Sequence, residues 1–444
     1  MRWFVASLVF LMAGVAGARP VRTHAVGELL LPGGAAPFLI EFAGNFGELT
    51  GGGPAIEAWV RLGQPGIDGD LFMATQDASR VERLVAGDDE VVTLWFETYG
   101  SKLTFRWTGE DPSLRFGMGE WLTPRRDGFA RIPVSLRPTR LTDERLPLFG
   151  PSVVAGDDQP ADFAGRWRVD FDSSEDDAVG VFEVDAETGL ATGTFLTTTG
   201  DYGHLGGRVD GRTLRLSTFD GAHAFLFSAE MLDDGTLAGR FWSGDWWEER
   251  WTARRDDGYE LPDAFGLTKA TGSIERMNDL PFMLLGNWPG AISGPGWRDV
   301  TFGDVYESGR PTLVYVFGSW CPNCKDAVEL IKQLYRDHRA AGLQVIAIAY
   351  EREDGARAVE RVRAYAGASG APWPILIGGL ADKDEVANDV PIIDGLRSYP
   401  TTIFVDKTGE VRGVYQGFSG PATGEAYETL QRRWGEMVGR IVGE

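Results

Sequence analysis

Trp320-Cys321-Pro322-Asn323-Cys324 holds both cysteines of this 444-residue chain. A disulfide between residues three apart closes a loop too short to restrain much of the unfolded chain, so the pair is poorly suited to stapling. It is suited to cycling between dithiol and disulfide. The alternative, a zinc half-site, needs two further Cys or His ligands. No other cysteine exists, and the nearest histidine, His338, stands alone. The run follows the apolar stretch Thr312-Leu313-Val314-Tyr315-Val316-Phe317 and precedes a helical pattern. A cysteine at a helix start has its thiolate favoured by the N-terminal dipole, which makes it a nucleophile near neutral pH. Pro322 fits the first helical turn, where no backbone donor is needed. The chemistry is then thiol exchange. Cys321 attacks a substrate disulfide, a mixed disulfide forms, and Cys324, one turn into the helix, attacks Cys321 and releases reduced substrate. This calls for no cofactor and no metal.

The elements that must position the pair alternate between strand and helix. The strand Thr312–Phe317 is followed by a helix from about Pro322 to Ala341 and a buried strand over Gln344–Tyr350. A charged, alanine-rich helix over Asp354–Ala368, a strand over Trp373–Ile377 and a helix over Ala381–Val390 come next. A hairpin pairs Thr402–Asp406 with Val411–Tyr415, and a last helix covers Thr423–Val438. Such alternation predicts a mostly parallel sheet with helices on both faces.

From about Asn278 to Glu444 this pattern resembles an α/β thioredoxin fold of the TlpA/ResA type, the exported thiol-disulfide oxidoreductases. The residues that carry the likeness are Gly318-Ser319-Trp320-Cys321-Pro322-Asn323-Cys324, Tyr399-Pro400-Thr401-Thr402 and Gly417-Phe418-Ser419-Gly420-Pro421. The resemblance implies that Pro400 is cis and faces the active pair, that Tyr399 offers its backbone to a substrate strand, and that Trp320 shields the thiols. It implies a reductase acting on a disulfide-containing exported protein, such as apocytochrome c or a scrambled disulfide, with a membrane-bound thiol electron donor. Two positions depart from the family. Tyr315 stands where thioredoxins bury an aspartate, and Ala327 stands where TlpA/ResA-type proteins often carry a glutamate. Asp326 and Glu329 point elsewhere on the helix, so Tyr315, Asp326 or a water is left as proton acceptor for Cys324. An oxidant that inserts disulfides would need a strongly stabilised thiolate. The peroxidase signature P-x-x-x-T-x-x-C is absent, with Gly318 at the threonine's place. A third possibility is a protein whose β region binds a ligand or partner while the thioredoxin fold responds to redox state.

The remainder, from about Thr23 to Glu260, reads as β. Short alternating segments such as Lys102-Leu103-Thr104-Phe105-Arg106-Trp107 and Thr213-Leu214-Arg215-Leu216-Ser217-Thr218-Phe219 are separated by turns such as Asp210-Gly211, Asp220-Gly221 and Asp234-Gly235. That pattern predicts an antiparallel barrel or sandwich. We divide it into a β-rich region, 19–150, and a meander, 160–260, followed by a linker, 261–277, and the thioredoxin-like domain, 278–444. The two β regions form either one sheet system or two. The meander resembles lipocalin-like barrels through Gly165-Arg166-Trp167 and its one-after-another strands. That likeness implies a ligand cavity or, as we prefer, a filled barrel serving as scaffold. Trp242, Trp246, Trp247 and Trp251 are either a contact patch or core and rim packing. His204 and His223 sit near turns beside Asp201 and Asp220 and read as structural, because nothing in the sequence places them together.

Arg2, the apolar run Trp3–Val15 and Ala16-Gly17-Ala18 predict a secretory signal peptide over 1–18, hence a periplasmic or otherwise extracytoplasmic protein with no transmembrane segment after cleavage. The formal charge of −22 repels nucleic acid and anionic membrane and excludes both as partners.

Overall fold

The computed structural model describes residues 22–43, 59–66, 73–86, 89–108, 116–125, 128–139, 149, 161–173, 177–286 and 296–443. The expected signal peptide, 1–18, lies outside them. Among the described residues no helix is long and apolar enough to cross a membrane.

Period-2 alternation builds the first β unit. Along Ser101–Thr108, residues Ser101, Leu103 and Phe105 are buried while their neighbours are not, because successive side chains of a strand point to opposite faces. Strands between Arg22 and Thr139 form an antiparallel sheet of nine. Its centre pairs Arg22–Leu31 with Gly128–Thr139, and its edges are Met73–Asp77 and Arg80–Ala86.

The second unit is a barrel. Strands from Gly165 to Arg255 run one after another, and Gly165–Phe171 pairs with both Ala178–Val184 and Trp247–Arg255, closing the ring. The tight turn at Asp210-Gly211 needs glycine, which takes φ of 57° there. The barrel is filled. Phe195 and Phe241 each stack on Phe227 with ring centroids 4.4 Å apart, and Trp251 crosses Phe195 at 5.2 Å. The four neighbouring tryptophans divide. Trp251 is barrel core, Trp242 lies in the core between the β units, and Trp246 packs 6.1 Å from Trp121 beneath the Arg125 guanidinium. Trp247 alone among them is exposed.

The two β units are separate sheets with a shared core. Phe219, at the end of strand Thr213–Phe219 of the barrel, points outward into the first sheet. Its ring lies 4.7 Å from Phe38 and 5.1 Å from Trp121. Leu226 and Trp242 from the barrel join the same cluster. Ser217 Oγ donates to the Pro37 carbonyl at 2.6 Å, so the polar group carried into this junction is satisfied.

The carboxy-terminal unit is a seven-stranded sheet in the order Trp297–Thr301, Pro281–Leu285, Ile375–Leu380, Gln344–Glu351, Thr312–Phe317, Thr401–Val405, Val411–Gln416. Helices α1 (Pro322–His338), α2 (Gly355–Ser369) and α4 (Glu425–Gly443) bury apolar stripes on one face; Val386 and Val390, from α3 (Lys383–Asp389) and its end, pack on the other. The expectation of a mostly parallel sheet is corrected. Only the central strands Thr312–Phe317, Gln344–Glu351 and Ile375–Leu380 run parallel. The helical crossovers α1 and α2 impose that direction, whereas the flanking strands pair antiparallel. The segment 261–277 docks on this unit: Phe265 packs 4.9 Å from Tyr415, Thr268 accepts from Gln416, and Ile274 and Met277 are buried.

Phe219→Ala removes the aromatic ring common to both β units. We expect a loss of about 3–5 kcal/mol in denaturant unfolding, against less than ~0.5 kcal/mol for truncating the exposed Leu84. Equal effects from the two substitutions would show that the β units do not share a core.

Candidate active site

The strand Thr312–Phe317 is buried along its whole length, and it delivers Gly318, Ser319 and Trp320 to the start of α1. Cys321 is the N-cap of that helix. Its Sγ accepts the Cys324 backbone N–H at 3.3 Å, and Pro322 occupies the first turn. An N-cap acceptor satisfies a helix donor that otherwise has no partner, and here the acceptor is the reactive sulfur itself. Both cysteines are free thiols. Cys324 is fully buried, and burial pushes its thiol well above the usual value.

Tyr315 explains what replaces the missing aspartate. Its hydroxyl donates to the Cys324 carbonyl at 2.6 Å, and Tyr365 donates to the same oxygen at 3.1 Å. Burial raises both phenols well above their usual range, so each remains a donor at neutral pH. Tyr315 therefore fixes the helix turn that carries Cys324. Ala327 is buried in the same core.

The opposite wall comes from the loop before strand Thr401–Val405. The Tyr399–Pro400 peptide is cis. Cys321 Sγ approaches the Tyr399 carbonyl at 3.6 Å, and Gly417 donates to the Pro400 carbonyl at 2.8 Å. Trp320 donates to the Tyr350 carbonyl at 3.1 Å, stands edge-on to Tyr399 at 5.4 Å and carries the Arg352 guanidinium 4.2 Å above its ring. The structure thus brings Trp320, Cys321, Pro322, Cys324, Tyr399 and Pro400 together.

Sequence reasoning missed Glu351. Its carboxyl, buried at the end of strand Gln344–Glu351, meets the Ser319 N–H at 2.9 Å and the Ser319 Oγ at 2.7 Å. Burial pushes it up to about 7. Ser319 Oγ also lies 3.3 Å from the Thr98 carbonyl of the first β sheet. Ser319 donates to Glu351 from both its N–H and its Oγ, so the buried carboxyl has partners. A lone glutamate ending an apolar strand was the available signal.

Sequence reasoning also missed that the β units cover the thiols. Gly420 donates to Asp201 Oδ2 of the barrel at 2.6 Å, Lys325 to Gln76 Oε1 of the first sheet at 2.5 Å, and Arg361 to the Glu97 carbonyl at 3.1 Å. Gly417 has φ of 86°, and a Cβ there would fall 2.4 Å from the Thr199 backbone, so glycine is needed where the two units meet. Beneath these ties lies a chamber of about 340 Å³ into which Cys321 opens. Pro322, Lys325 and Asp326 line it from one side of α1, while Cys324, Ala327 and Val328 face the core. The chamber also unites His204 with His223, which the sequence gave no reason to place together. His223 pairs with Asp220 at 3.5 Å and stacks on Phe225; burial lowers His204. Asp326 does point away from Cys324, as expected, but it points into the chamber of Cys321. Glu329 instead pairs with Lys332 at 2.9 Å. Among the described residues no three His, Cys, Asp or Glu side chains are placed to hold a metal.

A thiol pair at a helix start, a cis proline across from it and a central sheet of this order define a thioredoxin-like domain. The sequence comparisons agree. Residues 292–414 match the AhpC/TSA family. The chain is 26% identical over 111 residues to the thiol-disulfide oxidoreductase ResA of Halalkalibacterium halodurans, covering 24% of this chain and 55% of that protein. It is 26% identical over 132 residues to the thiol:disulfide interchange protein DsbE of Escherichia coli, covering 30% of this chain and 62% of that protein. The chain thus spans a little over half the length of these curated relatives. Among solved structures, a thiol:disulfide interchange protein DsbE from Chlorobium tepidum aligns at 18% identity over 38% of this chain and 99% of that one, with a TM-score of 0.27. StoA from Bacillus subtilis aligns at 17% identity over 34% and 94%, with a TM-score of 0.23. The carboxy-terminal domain is thus similar in sequence to thiol-disulfide oxidoreductases of the ResA and DsbE kind.

Glu351 sets a pH test. Its folded value, about 7, is raised above the ordinary carboxyl range. The stability held by its neutral form is complete below that range and is lost as pH rises through about 7. Glu351→Gln keeps the contacts with Ser319 and removes the charge. We expect the melting temperature of the parent to fall relative to that of the variant between about pH 5 and 8. Parallel curves would show that Glu351 ionises freely.

Proposed function

We propose that the protein is an exported thiol-disulfide oxidoreductase that reduces disulfides through Cys321 and Cys324. The observation that carries this reading is the division of labour at the start of α1. Cys321 caps the helix and opens into the chamber, while Cys324 is buried one turn on. Cys321 attacks the substrate disulfide, and Cys324 resolves the mixed disulfide. Two electrons pass to the substrate, and the protein is left as the Cys321–Cys324 disulfide.

We take the direction, reduction, from the likeness to ResA and DsbE; an oxidant would need a strongly stabilised thiolate. A membrane-bound thiol donor would restore the dithiol. The apolar run Trp3–Val15 supports export and a periplasmic or otherwise extracytoplasmic site. The AhpC/TSA match does not extend to peroxidase chemistry in our reading, because Gly318 replaces the threonine that chemistry requires. The β units serve to select the substrate disulfide.

Cys321→Ser is expected to abolish disulfide reduction, and Cys324→Ser to accumulate a mixed disulfide visible as an added mass. The reduction potential of the pair, titrated against dithiothreitol, is expected near or below about −220 mV; a value near −120 mV would make the protein an oxidant.

A further inference from the structure

Cys321 is 6% exposed. It lies under two β units that are tied to the domain by Asp201, Gln76, Thr98 and Glu97. The space left above the sulfur, about 340 Å³, falls in the range of a single small-ligand pocket, ~300–1,000 Å³. A space of that size suits a small disulfide better than a folded domain.

The polar groups of the chamber describe what does. Asp326 and Asp201 flank Gly420, where a Cβ would meet their Oδ2 atoms at 2.9 and 3.0 Å. Asp201 is held by the Gly420 and Gly203 N–H groups. Among the described residues, no group donates a hydrogen bond to Asp326, although it lines the chamber on the same side of α1 as Pro322. Of the cationic neighbours, Lys325 is engaged by Gln76 and His223 by Asp220. Desolvation and mutual repulsion push Asp326 up to about 7, and burial pushes Asp201 to about 6. Lys325 opposes the charge of Asp326, but Asp201, Asp220 and Glu329 add to it, so carboxylates outnumber the cation beside the reactive sulfur.

We propose that this chamber binds a low-molecular-weight disulfide bearing an ammonium group, with Asp326 as its principal anchor and Asp201 beside it. This rests on the reductase reading above and names its substrate class. The Cys321 thiolate attacks one sulfur of R–S–S–R, forming Cys321–S–S–R and releasing RS⁻. The Cys324 thiolate then attacks Cys321 Sγ and releases the second RS⁻. The disulfide gains two electrons, the protein loses two, and the leaving thiolates take up protons. An external dithiol reduces the protein again.

The test is single-turnover oxidation of the reduced full-length chain by three small disulfides: cystamine (dicationic), 2-hydroxyethyl disulfide (neutral) and dithiodiglycolate (dianionic). Loss of free thiols gives the rates, and dithiothreitol treated identically corrects for intrinsic reactivity. After correction, cystamine is expected to exceed the neutral disulfide by on the order of tenfold, the worth of one charge-assisted contact. Dithiodiglycolate should be slowest. Asp326→Asn should collapse the cystamine advantage, and Asp201→Asn should reduce it. The wild-type comparison of cation with anion needs no variant and stands if a variant fails to fold. Corrected rates that are equal for all three disulfides, or insulin disulfides reduced as fast as cystamine, would overturn the proposal. If Cys321→Ser still reacted with every disulfide, the oxidoreductase reading itself would fall; loss of reaction in Cys321→Ser with no charge preference in the parent would fell the substrate assignment alone.

Discussion

The start of α1 fixes everything that surrounds it. A helix end leaves backbone donors without partners, and this helix satisfies one of them with the sulfur of Cys321. The same hydrogen bond that begins the helix sets the position of the nucleophile. The fold then protects that geometry. A wholly buried strand holds the N-terminal approach, two phenols clamp the carbonyl of Cys324, and the cis Tyr399–Pro400 peptide forms the facing wall. The position six residues before the first cysteine holds a tyrosine in place of a carboxylate. Ionisable chemistry has been moved out from beneath the pair and into the chamber above it.

The β units are therefore part of the site. The barrel contributes Asp201, His204 and His223, and the first sheet contributes Tyr99 and Gln76, whose amide oxygen receives both Lys325 and Tyr99. The contacts are polar: the first sheet meets the domain through the strand Met73–Asp77 and the loop 97–100, and the barrel through the turn around 199–204. On the thioredoxin-like side they meet Ser319, α1, α2 and the segment 417–422. Rigid sheets behind these loops hold the wall of a chamber whose floor is a redox centre.

How much of this was legible follows the range of the interactions. Local signals carried the pair, its helix and Pro400, because a C-x-x-C after an apolar strand and a proline before a hairpin are written in adjacent residues. The barrel's turns at Asp210-Gly211 and Asp234-Gly235 were equally local. Sheet direction was not, since the parallel centre was extended to strands that pair antiparallel without a crossover. Glu351 and the chamber were hidden for a different reason. Ser319 meets Thr98 across more than two hundred residues, and Asp201 meets Gly420 across as many. No periodicity records such contacts. The histidines show the same limit: each looked like a turn residue, and each is one, yet they face a common space.

The core shared by the β units also has a meaning in time. The sheet formed by Arg22–Thr139 is made first, but Phe219, Leu226 and Trp242, which fill its inner face, lie in strands that follow. During synthesis from the amino terminus, the first sheet has no complete core until the barrel emerges, and its apolar face stays open to water until then. The barrel is thus the last-arriving half of the sheet's interior, and the redox domain follows both β units in the chain.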